Sequence, residues 1–312
     1  AVETAIKAAR RWGYFSKGIP EDKAEIIVAN GNFHGRTTTI VSFSSDASYK
    51  DGFGPFTPGF NSAEYCGSCD CQSIDSCLSI ESFEKKINKN TCAILVEPIQ
   101  GEAGIRVPTD GWLKQLRALC TSRNILLILD EIQSGLGRTG KLFAYEHENI
   151  KPDGLILGKA LGGAMGGFTT GKKEIIELLR QKSRPYLFSN SLAPTIVGAS
   201  IKVFEMISKD TSFRDQLENN TNYFRNKMKA AGFDLVGADS AIVPVMLYDA
   251  KLSQEMANAL LDEGIYVIGF FFPVVPKGKA RIRVQLSAAH TKEHLDKAIN
   301  AFIKVGKRLK VV

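Results

Sequence analysis

Lys159 is the residue where chemistry first suggests itself. It follows the short apolar run GLILG (154–158) and precedes the glycine-rich ALGGAMGG. A lysine that carries a carbonyl cofactor as a Schiff base needs a rigid mount and small neighbours, so that a planar ring can lie close to backbone. A lysine at a strand end is usually only solvated, so the case rests on its company. Asp130 ends the apolar run NILLILD, where a carboxylate is costly to desolvate unless a cation or donor faces it. A protonated ring nitrogen is such a partner, and keeping it protonated makes a cofactor ring an electron sink. The structural alternative for Asp130 is an N-cap on the following EIQSGL.

Such residues need elements to position them. The opening AVETAIKAARRWGY places Val2, Ala5, Ile6, Ala9 and Trp12 on one stripe and predicts an amphipathic helix from residue 1, with no loop leading into its N-terminus. Apolar runs then alternate with helical stretches: EIIVAN (25–30), TIVSF (39–43), CAILVEP (92–98), NILLILD (124–130), GLILG (154–158) and GGFTTG (166–171), with GWLKQLRALCTSR as an intervening helix. This pattern predicts an α/β fold with a mostly parallel sheet covered on both faces. Ligands of such sheets gather beyond the carboxyl ends of the strands. Residues 32–36, 97–102 and 130–133 and Lys159 all fall at those ends. From about residue 196, PTIVGASIKVFEMISK and SFRDQLENNTNYFRNKMKAAG lead into a strand AIVPVMLYD, a helix SQEMANALLDEG, strands in IYVIGFFF and ARIRVQLS, and a last helix from Thr291. The expected division is a large domain over 1–195 and a small α+β domain over 196–312.

Composition narrows the class. The chain has 312 residues, 44% of them hydrophobic, enough for a large and a small core. The apolar runs 125–129 and 268–275 are far short of a membrane span, and no charged-then-apolar leader opens the chain, so a cytoplasmic protein is expected, with the mitochondrial matrix also compatible. Forty basic and thirty-three acidic residues give +7. The one basic cluster, Lys304, Lys307, Arg308 and Lys310, reads as a solvated helix end, so no nucleic-acid partner is expected. Cys66, Cys69, Cys71 and Cys77 crowd into one stretch. Four thiolates could approach a tetrahedron, but the spacing is not a paired-knuckle pattern, so reduced thiols in a variable loop are expected, and no metal.

GNFHGRT (31–37), DGFGPFTPGF (51–60), VEPIQGEAG (96–104), LDEIQSGLGRTG (129–140) and KPDGLILGKALGG (151–163) together resemble the ornithine aminotransferases, which are class III aminotransferases dependent on pyridoxal 5'-phosphate (PLP). The resemblance covers about residues 1–163. It implies the PLP-dependent transferase fold of the aspartate aminotransferase type, with its N-terminal part missing here. It further implies Lys159 as the Schiff-base lysine, Asp130 as the partner of the ring nitrogen, Gln133 as a contact to the ring hydroxyl and Phe33 as the aromatic stacked on the ring. Arg36, Glu97 and Glu102 would line the substrate pocket, Arg36 facing a carboxylate.

The stretch from about residue 158 to the end, with KALGGAMGGFTTGKKEIIELLRQKSRPYLFSNSLAPTIVGAS, GIYVIGFFFPVVPKGKARIRVQLSAAHT and the last helix, resembles the α-oxoamine synthases of the 2-amino-3-ketobutyrate CoA ligase (glycine C-acetyltransferase) type. That resemblance implies Arg283 as the ligand of an amino-acid carboxylate and Ser189 in a segment offered to the neighbouring subunit's cofactor phosphate. Both families work as homodimers with shared active sites on small-molecule substrates, an amino acid with a 2-oxo acid or with an acyl-CoA. The synthases carry a histidine three residues after the aspartate, where this chain has Gln133, and stack a histidine on the cofactor, where it has Phe33. These two positions favour amino-group transfer over acyl-CoA condensation. His34 is expected to point away from the ring.

Overall fold

Strands buried on both faces need apolar residues at every position, and the runs centred on residues 27, 94, 128 and 156 supply them. In the computed structural model, which describes all residues except 67–76, 161–165, 184–185, 187, 189–190, 238–239 and 273, these runs are strands. In chain order the first unit has β1 (Glu25–Ala29), β2 (Phe60–Ala63), β3 (Thr91–Val96), β4 (Leu126–Asp130), β5 (Gly154–Gly158) and β6 (Gly167–Gly171). They form one sheet in the order β2-β1-β3-β4-β5-β6, parallel throughout except that β6 runs antiparallel to β5.

Alternate residues of each strand feed opposite faces. Ile27, Ile94, Leu127 and Leu155 pack with Trp112 and Leu116 on one side, while Ile26, Leu95, Ile128 and Ile156 pack with Val2, Ile6 and Ala9 on the other. The second set of partners belongs to α1 (Val2–Phe15). Gly13 ends its buried stripe because a Cβ there would meet the Cys92 side chain at 2.8 Å. Further helices of this unit are α2 (Thr38–Val41), α3 (Ser79–Lys86), α4 (Trp112–Ser122), α5 (Lys173–Lys182) and α6 (Pro194–Lys209). Trp112 anchors α4. Its ring meets Tyr65 at 4.9 Å, and its indole N–H donates to Ser79 Oγ at 3.1 Å. Burial of a side chain of this size contributes about 1.5–3 kcal/mol.

The second unit contains α7 (Ser212–Ala230), β7 (Ile242–Tyr248), α8 (Ala250–Asp262), β8 (Gly269–Phe270), β9 (Ala280–Gln285) and α9 (Lys292–Arg308), with an antiparallel sheet in the order β7-β9-β8. Its core centres on Phe302, which meets Phe224 and Phe233 edge-on. A cap opens α9: Thr291 Oγ1 accepts the His294 N–H, and His294 Nδ1 accepts the Thr291 N–H.

Four expectations change. The boundary falls between Lys209 and Asp210 rather than at 195/196, because α6 packs Val203 and Phe204 on the first core. Two short segments, Glu102–Ile105 and Gly137–Gly140, also cluster with the second unit. TIVSF is not a strand: Thr37 is extended and the chain turns at once into the short α2, burying Ile40 and Val41. IYVIGFFF pairs over only two residues, Gly269 and Phe270. Finally, Cys66 and Cys77 are reduced thiols outside helix and strand, as expected, but they are buried in the first core, Cys66 lying 3.0 Å from Thr109 Oγ1. Cys69 and Cys71 lie outside the described residues, as does Ser189. Among the described residues no helix is long and apolar enough to cross a membrane.

Candidate active site

The order of the parallel strands fixes where a ligand can sit. From β1 the chain moves to β2 on one side and then to β3 on the other, so the loops after β1 and β3 diverge and leave a crevice at their carboxyl ends. Those loops are 30–37 and 97–106, which carry four of the expected site residues. The crevice is knit by hydrogen bonds. Gln100 Nε2 donates to the Asn30 carbonyl at 2.8 Å, Asn32 Nδ2 donates to the Ala29 carbonyl at 2.6 Å, and the Phe33 N–H donates to Glu97 Oε2 at 3.0 Å.

Asp130 closes one side from the end of β4 and is buried. Its Oδ1 accepts the Ile132 N–H at 3.0 Å, and its Oδ2 lies 2.8 Å from His34 Nδ1. No helix follows it; residues 131–140 run as turns, so the carboxylate does not cap a helix. His34 is the residue missed from sequence. Its side chain is wholly buried, and among the described residues its Nε2 has no hydrogen-bond partner. Burial opposes charging of the imidazole, but the Asp130 carboxylate, with Glu97 beyond it, outweighs that and raises its pKa.

Glu97 lies close to this pair. It is buried, and burial pushes its pKa up to about 8, opposed by His34 and by the backbone N–H groups of Phe33 and Gly101. The Gln133 amide lies against Gly101, where an added Cβ would come within 2.5 Å of its Oε1, so a side chain there would push the amide aside. Phe33 is half-buried, edge-on to Tyr49 at 5.9 Å. The exposed Arg36 guanidinium lies over the Tyr49 ring at 4.6 Å and the Phe33 ring at 5.5 Å.

Lys159 stands one residue beyond β5, the strand paired to β4 through Asp130 and Ile156. It is exposed and its backbone is left-handed, with φ +49. Glu102 and Arg283 both belong to the second unit, where Glu102 Oε2 lies 3.6 Å from Arg283 Nη2 and the Arg283 guanidinium lies over the Phe270 ring at 4.6 Å.

A separate cavity of about 300 Å³, lined mainly by Ala5, Trp12, Phe15, Leu126, Ile128 and Leu178, lies beside the starts of β4 and β5. It is the wrong end of a parallel sheet for this chemistry and has none of the expected site residues.

Buried carboxylates give a testable pH dependence. Burial also raises Glu131, which accepts the N–H groups of Ala144 and Tyr145, to about 7. Groups whose pKa is raised on folding stabilise the fold below their unfolded value, and that contribution is lost as pH rises through about 7 to 8. His34 has the same sign. Calorimetry should therefore show an unfolding free energy that falls from mildly acidic to mildly alkaline pH, by on the order of 1 kcal/mol per pH unit for each proton lost, with the thermal midpoint falling alongside. A Glu97→Gln, Glu131→Gln double variant should flatten the slope; an unchanged slope would refute the assignment.

The residues that cluster here fit PLP at its ring end. A buried carboxylate with oxygen lone pairs to spare stands at one strand end and an exposed lysine at the next, and beside the carboxylate His34 Nε2 is a buried polar atom without a partner among the described residues.

A family model of the class III aminotransferases matches residues 1–305. The chain is 50% identical over 211 residues to 2-amino-3-ketobutyrate coenzyme A ligase of Escherichia coli K12, covering 65% of this chain and 53% of that protein. It is 43% identical over 236 residues to ornithine aminotransferase of Oceanobacillus iheyensis, covering 75% and 56%. It thus spans about half the length of the curated relatives it matches. Among solved structures, an ornithine aminotransferase from Toxoplasma gondii with partial occupancy of PLP at its active site is 29% identical with a TM-score of 0.82, covering all of this chain and 70% of that one.

Proposed function

Because the chain belongs to the class III aminotransferase family, we propose that it transfers an amino group between an ornithine-like amino acid and a 2-oxo acid, with PLP held by Lys159. The observation that carries this reading is the His34–Asp130 pair at the end of β4, one strand away from the lysine. Bound PLP supplies the electron sink, and the chain supplies the rest. Asp130 keeps a ring nitrogen protonated, and His34 holds that carboxylate in place and balances its charge. Phe33 would cover a ring face, and Gln133 would reach the ring hydroxyl. The Lys159 amine moves the proton from the substrate Cα. Arg36 binds one carboxylate and Arg283 another, with Glu102 standing 3.6 Å from Arg283. Ser189 belongs to a segment offered to a second subunit's cofactor phosphate. A homodimer is part of the proposal, supported by the apolar α6, which leaves Ile201 and Met206 exposed.

The second reading is glycine C-acetyltransferase, favoured by the 50% identity to the coenzyme A ligase. Gln133 and Phe33 stand against it, because the condensation uses histidines there. The test is direct. The chain is incubated with PLP, desalted, and its visible absorbance recorded before and after borohydride. Ornithine should shift that absorbance and 2-oxoglutarate restore it, while glycine and acetyl-CoA should release no free CoA thiol. Thiol release without any ornithine-dependent shift reverses the ranking, and absence of a borohydride-trapped adduct leaves an inactive scaffold.

A further inference from the structure

β9 turns Ile282 and Val284 into the core of the second unit and presents Arg281 and Arg283 on its other face, beside Phe270 and Met246 of the neighbouring strands. The charge of Arg283 is answered by Glu102 at 3.6 Å and by the Phe270 ring. Arg281 differs. It is 6% exposed, its Nε donates to the Lys279 carbonyl at 2.9 Å, and among the described residues no carboxylate lies within ion-pair distance of it. Its guanidinium lies against Gly104, where an added Cβ would come within 2.9 Å of Nη1. Gly104 has φ +114, so this approach is built into the backbone that carries Glu102. A buried cation without a counter-charge is costly to keep. Burial and the neighbouring charge of Arg283 both lower its pKa.

We propose that Arg281 is a positioning residue that places a second positive charge beside Arg283, so that an incoming carboxylate completes the charge balance of this face. The inference rests on reading Arg283 as a carboxylate ligand. Two guanidiniums with Glu102 between their loop and strand leave an excess of positive charge on the sheet. A carboxylate anion then binds without having to displace Glu102 from an already neutral pair. Arg281 need not touch the anion, because like and unlike charges act over several ångströms where water is scarce. Gly104 gives the guanidinium its seat.

The test is titration calorimetry of the chain with succinate at low and moderate salt, without cofactor. Arg281→Met, which keeps bulk and removes charge, should weaken binding by about tenfold or more and flatten its salt dependence. Arg281→Lys should stay within about threefold of the unmodified chain, a rescue that loss of packing alone would not allow. Equal binding by Arg281→Met, or an equal loss in Arg281→Lys, overturns the proposal. A loss in Arg283→Met with none in Arg281→Met overturns it alone. Undiminished binding by Arg283→Met, or none by the unmodified chain, overturns the reading of Arg283 as well.

Discussion

Lys159→Gly should abolish borohydride-trapped attachment of PLP and at the same time leave the chain more stable. The first half follows from position: Lys159 stands one residue beyond the strand paired to the one that ends in Asp130, and it is exposed there. The second half follows from the backbone. A non-glycine residue at φ +49 places Cβ close to its own carbonyl, which costs about 1–2 kcal/mol that glycine does not incur. Strain of this kind persists where function holds it. Lys159→Ala should lose attachment equally but gain no stability. Mass spectrometry of the reduced protein and its thermal midpoint give both readouts. An adduct on another lysine in Lys159→Gly would sink the assignment, and a lowered midpoint would sink the account of the strain.

Asp130→Asn should separate the two roles of the carboxylate. The amide can still accept the Ile132 N–H, so the turn survives. It cannot balance a charged His34 or a protonated ring nitrogen. Loss of one buried charge-assisted contact costs about 1.5–3 kcal/mol, or roughly ten- to a hundredfold in PLP affinity or in the ornithine half-reaction. The cofactor-free chain carries an independent signature. With the largest raising influence removed, burial dominates and the His34 pKa should fall, which a histidine NMR titration would record. A His34 pKa that stays raised in Asp130→Asn would show that Glu97, not Asp130, sets it.

How far the sequence foretold this site depends on whether local regularity held. β1, β3, β4 and β5 were legible because strands buried on both faces leave nearly unbroken apolar runs, and Asp130 and Lys159 stand out as the polar residues that end two of them. β2 was not, since Phe60–Ala63 has one large apolar side chain and reads as loop. His34 was set aside on the assumption of alternation: if Phe33 faces the ring, its neighbour faces away. Residues 32–34 are not a strand, and Gly31 and Gly35 at φ +77 and +123 bracket them, so His34 can be buried while its neighbour Phe33 is half-buried. A histidine between two glycines was the available signal. Glu97 and Glu102 looked alike in VEPIQGEAG, but one is sealed among backbone N–H groups and the other meets an arginine. Only the fold of the intervening turn separates them.

The clustering of Glu102–Ile105 and Gly137–Gly140 with the second unit bears on how such enzymes could be recombined. An exchange of the whole segment after Lys159 between relatives would transfer Arg281 and Arg283 while leaving behind Glu102, which pairs with one, and Gly104, which seats the other. The two parental contributions to this charge balance would then be inherited separately. A hybrid gene should recover full carboxylate affinity only when a four-residue loop from the same parent travels with the distant C-terminal strand, so its crossover points are best chosen by shared charge networks rather than by sequence continuity.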